Sequence, residues 1–355
     1  MNHGRFLQQI ARLIFIGTLA TSCAKEDAGT SKIGEQVMIT PTVRSTVDNQ
    51  ESTEGPINEN MKLTLYFMRA DDPTPSRYGY EAIYDVTKRV AIRTAGSDKQ
   101  ELAFITPGSQ YYNMDGTKTL LRGWFPEEDS FEVDPQWGEA TVTWTFNGAK
   151  DIMVSNFLAG DRADKGINGP DNWFEFKHML TQLQFYICAE TAAAAQAWGN
   201  VISIKVKNQA NQCIFIPTDN DYKPNSYSLE DCCTFSGEQD LDAYDIPDGG
   251  VPIPTKGMEA GEDGLYGAKP AGGIMVAPNS PFTLEVTTKL NDVPTVTKVT
   301  VPTPDTHLKS NFAAGESTKV IFNFLTRDIE IMLKNDKWIP VSGKDVDVDL
   351  GVNEQ

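Results

Sequence analysis

Apolar and polar residues alternate with a period of two along most of this chain. Successive side chains of an extended chain point to opposite faces, so each such run predicts a strand with one buried face. The clearest runs are residues 63–67, 140–146, 182–187, 201–207 and 345–352. Segments rich in Pro, Gly and Asp separate them. The pattern therefore indicates many short strands joined by turns.

Helical periodicity is rare by comparison. The alanine-rich residues 190–198 are the one good helix candidate, because alanine has the highest helix propensity. Short strands without amphipathic helices are typical of an antiparallel β-sandwich or barrel. We therefore predict an all-β protein with one short helix.

A polar, glycine-rich segment, residues 159–171, interrupts the strand pattern near the middle of the chain. A loop of that composition is a reasonable place for a domain boundary, and the length of the chain suits two domains better than one. We expect the first domain in residues 37–170 and the second in residues 171–355. Residues 172–187 are interpreted as the first strand of the second domain.

The first 22 residues have the features of a signal peptide. Arg5 and Arg12 supply positive charge, and the apolar run of residues 13–20 is too short to span a bilayer. The run leads into Leu-Ala-Thr-Ser-Cys23, which resembles a bacterial lipobox. In a lipobox the cysteine is lipidated and becomes the new N-terminus, so Cys23 is the predicted lipidation site, with palmitate among its acyl chains. The alternative is an ordinary signal peptide with a chance cysteine.

The residues after Cys23 and the overall charge indicate an exported protein. Residues 23–36 are interpreted as a tether, and residues 24–27 look like the signal that takes Bacteroidetes lipoproteins to the outer cell surface. The formal charge is −18 at pH 7, and removal of Arg5 and Arg12 with the signal peptide leaves −20. Such a surface repels phosphate backbones, which argues against nucleic acid as a partner. No later segment is apolar enough to span a membrane, so the lipid is the predicted attachment to the outer membrane.

Four cysteines remain after Cys23, namely Cys188, Cys213, Cys232 and Cys233. An exported protein can form disulfides, but a vicinal pair such as Cys232 and Cys233 rarely bonds to itself, and no CxxC spacing is present. We interpret these residues as buried or half-buried thiols. A disulfide from Cys188 or Cys213 to the vicinal pair is the alternative.

The sequence offers little catalytic chemistry. His178 and His307 are the only histidines beyond the signal peptide, and there is no HExxH, GxSxG or phosphate-binding loop. Residues 219–230 faintly resemble a calcium-binding loop, but Lys223 and Pro224 stand at positions that need an oxygen ligand and a glycine. We therefore predict no enzymatic activity, no cofactor and no metal site.

Several stretches resemble the fimbrillin-like lipoprotein pilins of Bacteroidetes. They are a Tyr-rich approach to an Asp-Gly turn, a strand that ends in Trp-Phe-Pro, the Asp-Ile-Met-Val segment, and an aromatic residue with a small-residue turn before a long strand: residues 104–116, 121–126, 151–154 and 312–324. Each motif alone is weak, but their order and spacing extend over nearly the whole mature chain. The resemblance implies two tandem transthyretin-like β-sandwich domains. It also implies a structural or adhesive subunit of a surface pilus, with other pilin subunits as partners, in a homo- or heteropolymer, and a host or bacterial surface molecule as a further ligand.

The C-terminal run has a strict alternation. Its apolar face is formed by Val346, Val348, Leu350 and Val352, and Asp345, Asp347 and Asp349 form the other face. The run either pairs within its own domain or is offered to a neighbouring subunit as a donor strand. The resemblance favours the donor strand.

The family resemblance also implies that an Arg-specific protease removes the first strand and so opens a groove for the donor strand. The matching residue is Arg44, which follows the first predicted strand. Arg69 and Arg93 are alternatives that lie further into the domain, and a plain surface arginine is the alternative role for Arg44.

Two other classes of function are compatible with the sequence. A monomeric glycan-binding surface lipoprotein would need Trp124, Trp137 or Trp173 exposed as a stacking platform. A hydrolase built on a β-sandwich would need a pair of carboxylates in a cleft.

Overall fold

The computed structural model describes residues 36, 38–39, 42–44, 63–71, 85–93, 99–135, 138–168, 171–217, 232–259, 265–278, 283–301 and 312–336. In chain order its strands are β1 (Thr42–Arg44), β2 (Leu63–Asp71), β3 (Asp85–Arg93), β4 (Lys99–Thr106), β5 (Thr119–Phe125), β6 (Ser130–Val133), β7 (Ala140–Thr145), β8 (Met153–Gly160), β9 (Phe174–His178), β10 (Thr181–Ala189), β11 (Asn200–Gln209), β12 (Gln212–Phe215), β13 (Cys233–Ser236), β14 (Gln239–Asp242), β15 (Val251–Pro252), β16 (Lys269–Val276), β17 (Thr283–Leu290), β18 (Val293–Thr300), β19 (Ser317–Phe324) and β20 (Ile329–Asp336). The helices are α1 (Ala192–Trp198) and the 3₁₀-helix η1 (Gly166–Asn168).

Strands of the first half close into a barrel with the order β1-β4-β3-β2-β5-β8-β9. Every pair in the barrel is antiparallel except β1–β9, which is parallel. Its interior contains an aromatic cluster in which the Phe67 ring lies 4.9 Å from that of Phe174, 5.7 Å from that of Phe104 and 6.2 Å from that of Phe176. Alternation along β2, β4 and β9 thus supplies the inner wall of the barrel.

Two sheets make up most of the second half. One has the order β16-β10-β19-β20, and the other has the order β14-β11-β17-β18, with β15 also paired to β11. Leu183 and Phe185 of β10, Val206 of β11 and Phe322 of β19 belong to the same buried apolar cluster, so the two sheets share one core. Helix α1 is N-capped by Thr191, whose hydroxyl accepts the N–H of Ala194.

A fourth sheet combines strands of both halves in the order β13-β12-β7-β6. Within it β7 pairs with β12, so that Trp144 lies opposite Cys213. This sheet covers the outside of the barrel, where the Trp124 ring stacks on Phe131 at 5.7 Å and contacts Phe215 at 6.4 Å. One apolar cluster therefore continues from Trp124 and Trp144 into the core of the second half.

The predicted all-β architecture with one short α-helix is confirmed in the part of the chain that the structure describes. The hairpin of β17 and β18 turns at Asn291 and Asp292, which both have positive φ. No helix among the described residues is long and apolar enough to cross a membrane.

Residues 172–187, which we interpreted as one strand, form two. β9 pairs with β8 and β1 in the barrel, whereas β10 pairs with β16 and β19. Met179 and Leu180 between them are both buried, because the chain crosses here from the barrel to the next sheet. The predicted domain boundary at residue 170 stays a prediction; on strand pairing alone, a boundary after His178 would keep the barrel whole.

Candidate strand-exchange site

The described residues include only some of the predicted site residues. Cys23 and the apolar residues of the C-terminal run, from Val346 to Val352, lie outside them. Arg44 is the last residue of β1. Arg69 and Arg93 lie in β2 and β3 and are 7% and 0% exposed, so neither side chain is accessible to a protease.

β1 joins two strands of the barrel. On one side Thr42, Val43 and Arg44 pair antiparallel with Glu101, Gln100 and Lys99 of β4. On its other side Val43 and Arg44 pair parallel with Phe174 and Glu175 of β9. Within the described residues no other strand connects β4 to β9, so three residues close the barrel at this position.

The chain just before β1 is also hydrogen-bonded to the barrel, at loops that follow β4 and β8. Met38 forms an isolated β-bridge with Tyr111, and the Ile39 N–H donates to the Gln110 carbonyl at 2.7 Å. The Asn168 side-chain amide donates to the Met38 carbonyl at 2.8 Å. Ile39 is buried. Residues 38–39 and 42–44, which we call the N-terminal segment, are thus fixed by main-chain hydrogen bonds at both ends.

A buried polar network holds Gln110 in place. Its Oε1 accepts from Arg69 Nη1 at 3.2 Å and from Arg89 Nε at 2.7 Å. Arg69 also donates to both carboxylate oxygens of Asp71 and to Asn113 Oδ1. Burial, and then the positive charge of Arg69, lower the pKa of Arg89. Two cations that share one neutral acceptor therefore fix the loop after β4 to β2 and β3.

A second network holds Asn168 on the other side of the N-terminal segment. The Tyr112 hydroxyl accepts the N–H of Ile167 at 3.0 Å and lies 3.4 Å from Asn168 Oδ1. Burial raises the pKa of Tyr112 to about 12, so its hydroxyl stays protonated. The N–H groups of Asp164 and Ala163 donate to Asp161 and hold the pKa of that carboxyl below its usual value. These bonds order the loop that leads into η1.

His178 has a structural role in this arrangement. It is buried, and its Nδ1 lies 2.8 Å from Asp151 Oδ1. Asp151 lies just before β8, so the contact ties the end of β9 to the start of its partner strand. Among the described residues there is no group of three His, Cys, Asp or Glu side chains that could hold a metal ion. The predicted calcium-like loop, residues 219–230, lies outside the described residues.

Trp124 is not exposed and cannot serve as a stacking platform for a glycan. Its ring is fully buried, and its Nε1 donates to Glu128 Oε2 at 2.8 Å. The alternating pattern did not predict this burial. It shows that β5 is extended, but it does not show that another sheet covers the outer face of the barrel there. Trp173 is half-buried, and Trp137 lies outside the described residues.

The predicted burial of the cysteines is confirmed: Cys188, Cys213 and Cys232 are buried and Cys233 is half-buried, and all four are free thiols in the structure. Cys233 is hydrogen-bonded to Cys213 and Cys232. The hydrogen bond to Cys233 and burial raise the pKa of Cys232, and the hydrogen bond to Cys213 and burial raise the pKa of Cys233. Cys188 belongs to a separate cluster with Leu265 and Ile321.

Gln110 and Asn168 were not found by sequence reasoning. Gln110 lies in residues 104–116, one of the stretches that resemble the fimbrillin-like family, but nothing there distinguishes it from its polar neighbours. Asn168 lies in the glycine-rich loop that served only as a domain boundary. Their importance comes from contacts with residues 38 and 39, which are distant in sequence.

Solved structures and a family model resemble this chain. A search of the curated proteins found no match. Among solved structures, a candidate cell adhesion protein from Bacteroides uniformis is 13% identical, with a TM-score of 0.52 over 87% of this chain and 100% of that one. A fimbrial protein from Bacteroides vulgatus is 13% identical, with a TM-score of 0.40 over 77% of this chain and 91% of that one. A fimbrial assembly protein from Parabacteroides distasonis is 8% identical, with a TM-score of 0.44 over 85% and 96%.

The first of these structures supports the fold. The evidence for the family is the match of a family model described as fimbrillin-like, which extends over residues 45–338, most of the chain. The chain therefore belongs to the fimbrillin-like family.

Proposed function

We propose that this protein is a structural or adhesive subunit of a surface fimbria. In this proposal it is exported as a lipoprotein through Cys23, reaches the outer membrane surface, and assembles with other pilin subunits by strand exchange after cleavage at Arg44. The observation that carries the proposal is the closure of the barrel by the three residues of β1 between β4 and β9.

Cleavage after Arg44 would release β1 together with residues 38 and 39. The facing edges of β4 and β9 would then carry unpaired main-chain N–H and C=O groups, and the place of the buried Ile39 would be open. Unpaired strand edges are templates for another strand, and buried main-chain groups without partners are costly. The cleaved subunit would therefore accept a new strand parallel to β9 and antiparallel to β4.

The C-terminal run has the pattern that such a groove requires. Ile39, Pro41 and Val43 stand at a spacing of two in the segment that leaves. Val346, Val348, Leu350 and Val352 stand at the same spacing in residues 345–352. In strand addition, main-chain hydrogen bonds supply affinity and alternate side chains supply specificity. A neighbouring subunit could thus replace the first strand with its own last one.

Replacement of Arg44 tests the processing step. We expect Arg44→Ala to be exported and folded but to remain unassembled, because the N-terminal segment stays in the barrel. Mass spectrometry of assembled wild-type protein from the cell surface should give an N-terminus at Ser45. Arg327→Ala is the matched control, since Arg327 is exposed in the turn between β19 and β20. Assembled protein whose N-terminus is Cys23 would contradict cleavage at Arg44.

The proposed partners follow from the same site. They are further pilin subunits, in a homopolymer or heteropolymer, and, until cleavage at Arg44 releases the segment that carries Cys23, the outer membrane through the lipid. An adhesive role would add a host or bacterial surface ligand. No enzymatic activity is part of the proposal.

A further inference from the structure

Two groups grip one peptide unit of the N-terminal segment. The Gln110 carbonyl accepts the Ile39 N–H at 2.7 Å, and the Asn168 side-chain amide donates to the Met38 carbonyl at 2.8 Å. The C=O and N–H of a trans peptide point in opposite directions, so these two groups hold the Met38–Ile39 peptide from opposite sides. We call this pair the backbone clamp.

The backbone clamp does not read side chains. Both of its hydrogen bonds go to main-chain atoms, and the adjoining side chains differ in exposure: Met38 is 45% exposed and Ile39 is 2% exposed. Any extended strand with an apolar residue at the second of these positions satisfies the same geometry. Gln110 and Asn168 also lie outside the segment that cleavage at Arg44 would remove.

Gln110 is held by hydrogen bonds from its side chain to groups outside the N-terminal segment. Its side chain accepts from Arg69 and Arg89 and donates to the Gly108 carbonyl at 2.6 Å. Arg69 is itself anchored to Asp71. The carbonyl of Gln110 is therefore positioned before any strand binds to it.

The Asn168 side is held in the same manner. Asn168 ends η1, its N–H donates to the Lys165 carbonyl at 2.8 Å, and its Oδ1 lies 3.4 Å from the buried Tyr112 hydroxyl. A donor and an acceptor that are already fixed cost little conformational entropy when a ligand binds.

We propose that the backbone clamp is the positioning site for the incoming strand of a second copy of this chain. This inference rests on the proposed function and deepens it. The clamp takes one peptide unit of the donor strand, and the residue that donates its N–H to Gln110 places an apolar side chain where Ile39 was. Because side chains alternate, fixing one peptide unit also fixes which face of the donor enters the barrel. The Asp face of residues 345–352 is then directed outward.

The test uses the wild-type subunit processed at Arg44 and a synthetic peptide with the sequence of residues 343–355. Asn168→Asp keeps the size and the oxygen near Tyr112 but replaces the amide donor by a carboxylate oxygen, which repels a carbonyl. We expect its affinity for the peptide to fall by about tenfold, as for a lost hydrogen bond with added repulsion. Asn168→Ala removes the donor without adding charge and should lower the affinity less.

Asn200→Asp is the matched control. Asn200 Nδ2 donates to the Gly249 carbonyl at 3.1 Å in a different sheet, so the same chemical change occurs far from the clamp. Its peptide affinity should equal that of the wild type. Thermal unfolding of each processed protein checks that the variants are as well folded as the processed wild type.

The outcomes separate the two claims. If the processed wild-type protein does not bind the peptide, the proposed function fails and this inference fails with it. If the wild type binds but both folded Asn168 variants bind equally well, the clamp is overturned and strand exchange stands. Weaker binding by both Asn168 variants and unchanged binding by Asn200→Asp supports the clamp.

Discussion

At the scale of single residues, the aromatic cluster inside the barrel depends on a position without a side chain. Gly123 lies in β5, and a Cβ built there would come 2.6 Å from Phe67 Cε1 and 2.8 Å from Phe176 Cζ. Real Cβ contacts are not this short, so the rings occupy space that alanine would need. The packing of Phe67 and Phe176 inside the barrel therefore depends on a glycine of β5.

We expect Gly123→Ala to lower the free energy of unfolding by about 1–3 kcal/mol, the usual cost of overpacking a core. Urea unfolding followed by fluorescence measures the change. Gly249→Ala is a suitable control, because nothing lies within 4 Å of its built Cβ. Equal midpoints for the two variants would show that the rings move aside without cost.

The burial of some residues could not be predicted from the sequence. Tyr66, Met68 and Trp124 face away from the barrel interior, and alternation alone assigns such a face to solvent. The structure buries them under the sheet of β6, β7, β12 and β13. Period-two patterns report the extended conformation of a strand but not the partner that covers each of its faces.

At the scale of elements, the sequence predicted strands best where one face is polar and the run is long. The alternation in residues 140–146 and 201–207 corresponds to β7 and β11. It failed at residues 172–187, where Met179 and Leu180 are buried in succession between β9 and β10. A chain that passes from one sheet to another buries consecutive residues, and this is invisible to a periodicity of two.

The candidate site also shows the difference between local pattern and long-range contacts. Sequence and family resemblance placed Arg44 just after the first strand, whereas in the structure it is the last residue of β1 and pairs with Lys99 and Glu175. The two strands that flank β1 were not predicted, since β4 and β9 are separated from β1 by long stretches of chain. Contacts of that kind are decided by topology.

The proposed donor strand provides a prediction at the scale of elements. A chain that ends at Ser342 lacks residues 345–352 and should be processed and folded but should not polymerise with itself. Its groove should still accept the wild-type strand, so mixing with full-length subunits should cap growing polymers. Light scattering during assembly measures both effects. Polymerisation of the truncated chain alone would rule out the donor strand.

At the scale of the whole molecule, the sheet of β6, β7, β12 and β13 unites the two halves. Phe215 of β12 contacts both Trp124 of β5 and Trp144 of β7 at 6.4 Å between ring centroids. The apolar cluster that contains these rings continues to Leu183 and Phe322 in the second half. Loss of either half would expose the core of the other.

We therefore expect a single cooperative unfolding transition. Scanning calorimetry should show one peak with equal calorimetric and van't Hoff enthalpies, as for a two-state protein. Phe215→Ala should lower the free energy of unfolding by about 3–5 kcal/mol and move the whole peak to lower temperature. Two resolved peaks in the wild type would mean that the halves unfold independently in spite of the mixed sheet.

The mixed sheet also limits how this protein can change by descent. A gene fragment that ended in the loop of residues 159–171 would encode β6 and β7 without β12 and β13, and Trp124 and Trp144 would lose Phe215 as a neighbour. Duplication, loss or exchange of one half would therefore yield a product with an uncovered apolar face, which favours aggregation. New variants of this subunit are instead expected to arise by substitution and by changes in loop length, with both halves inherited together.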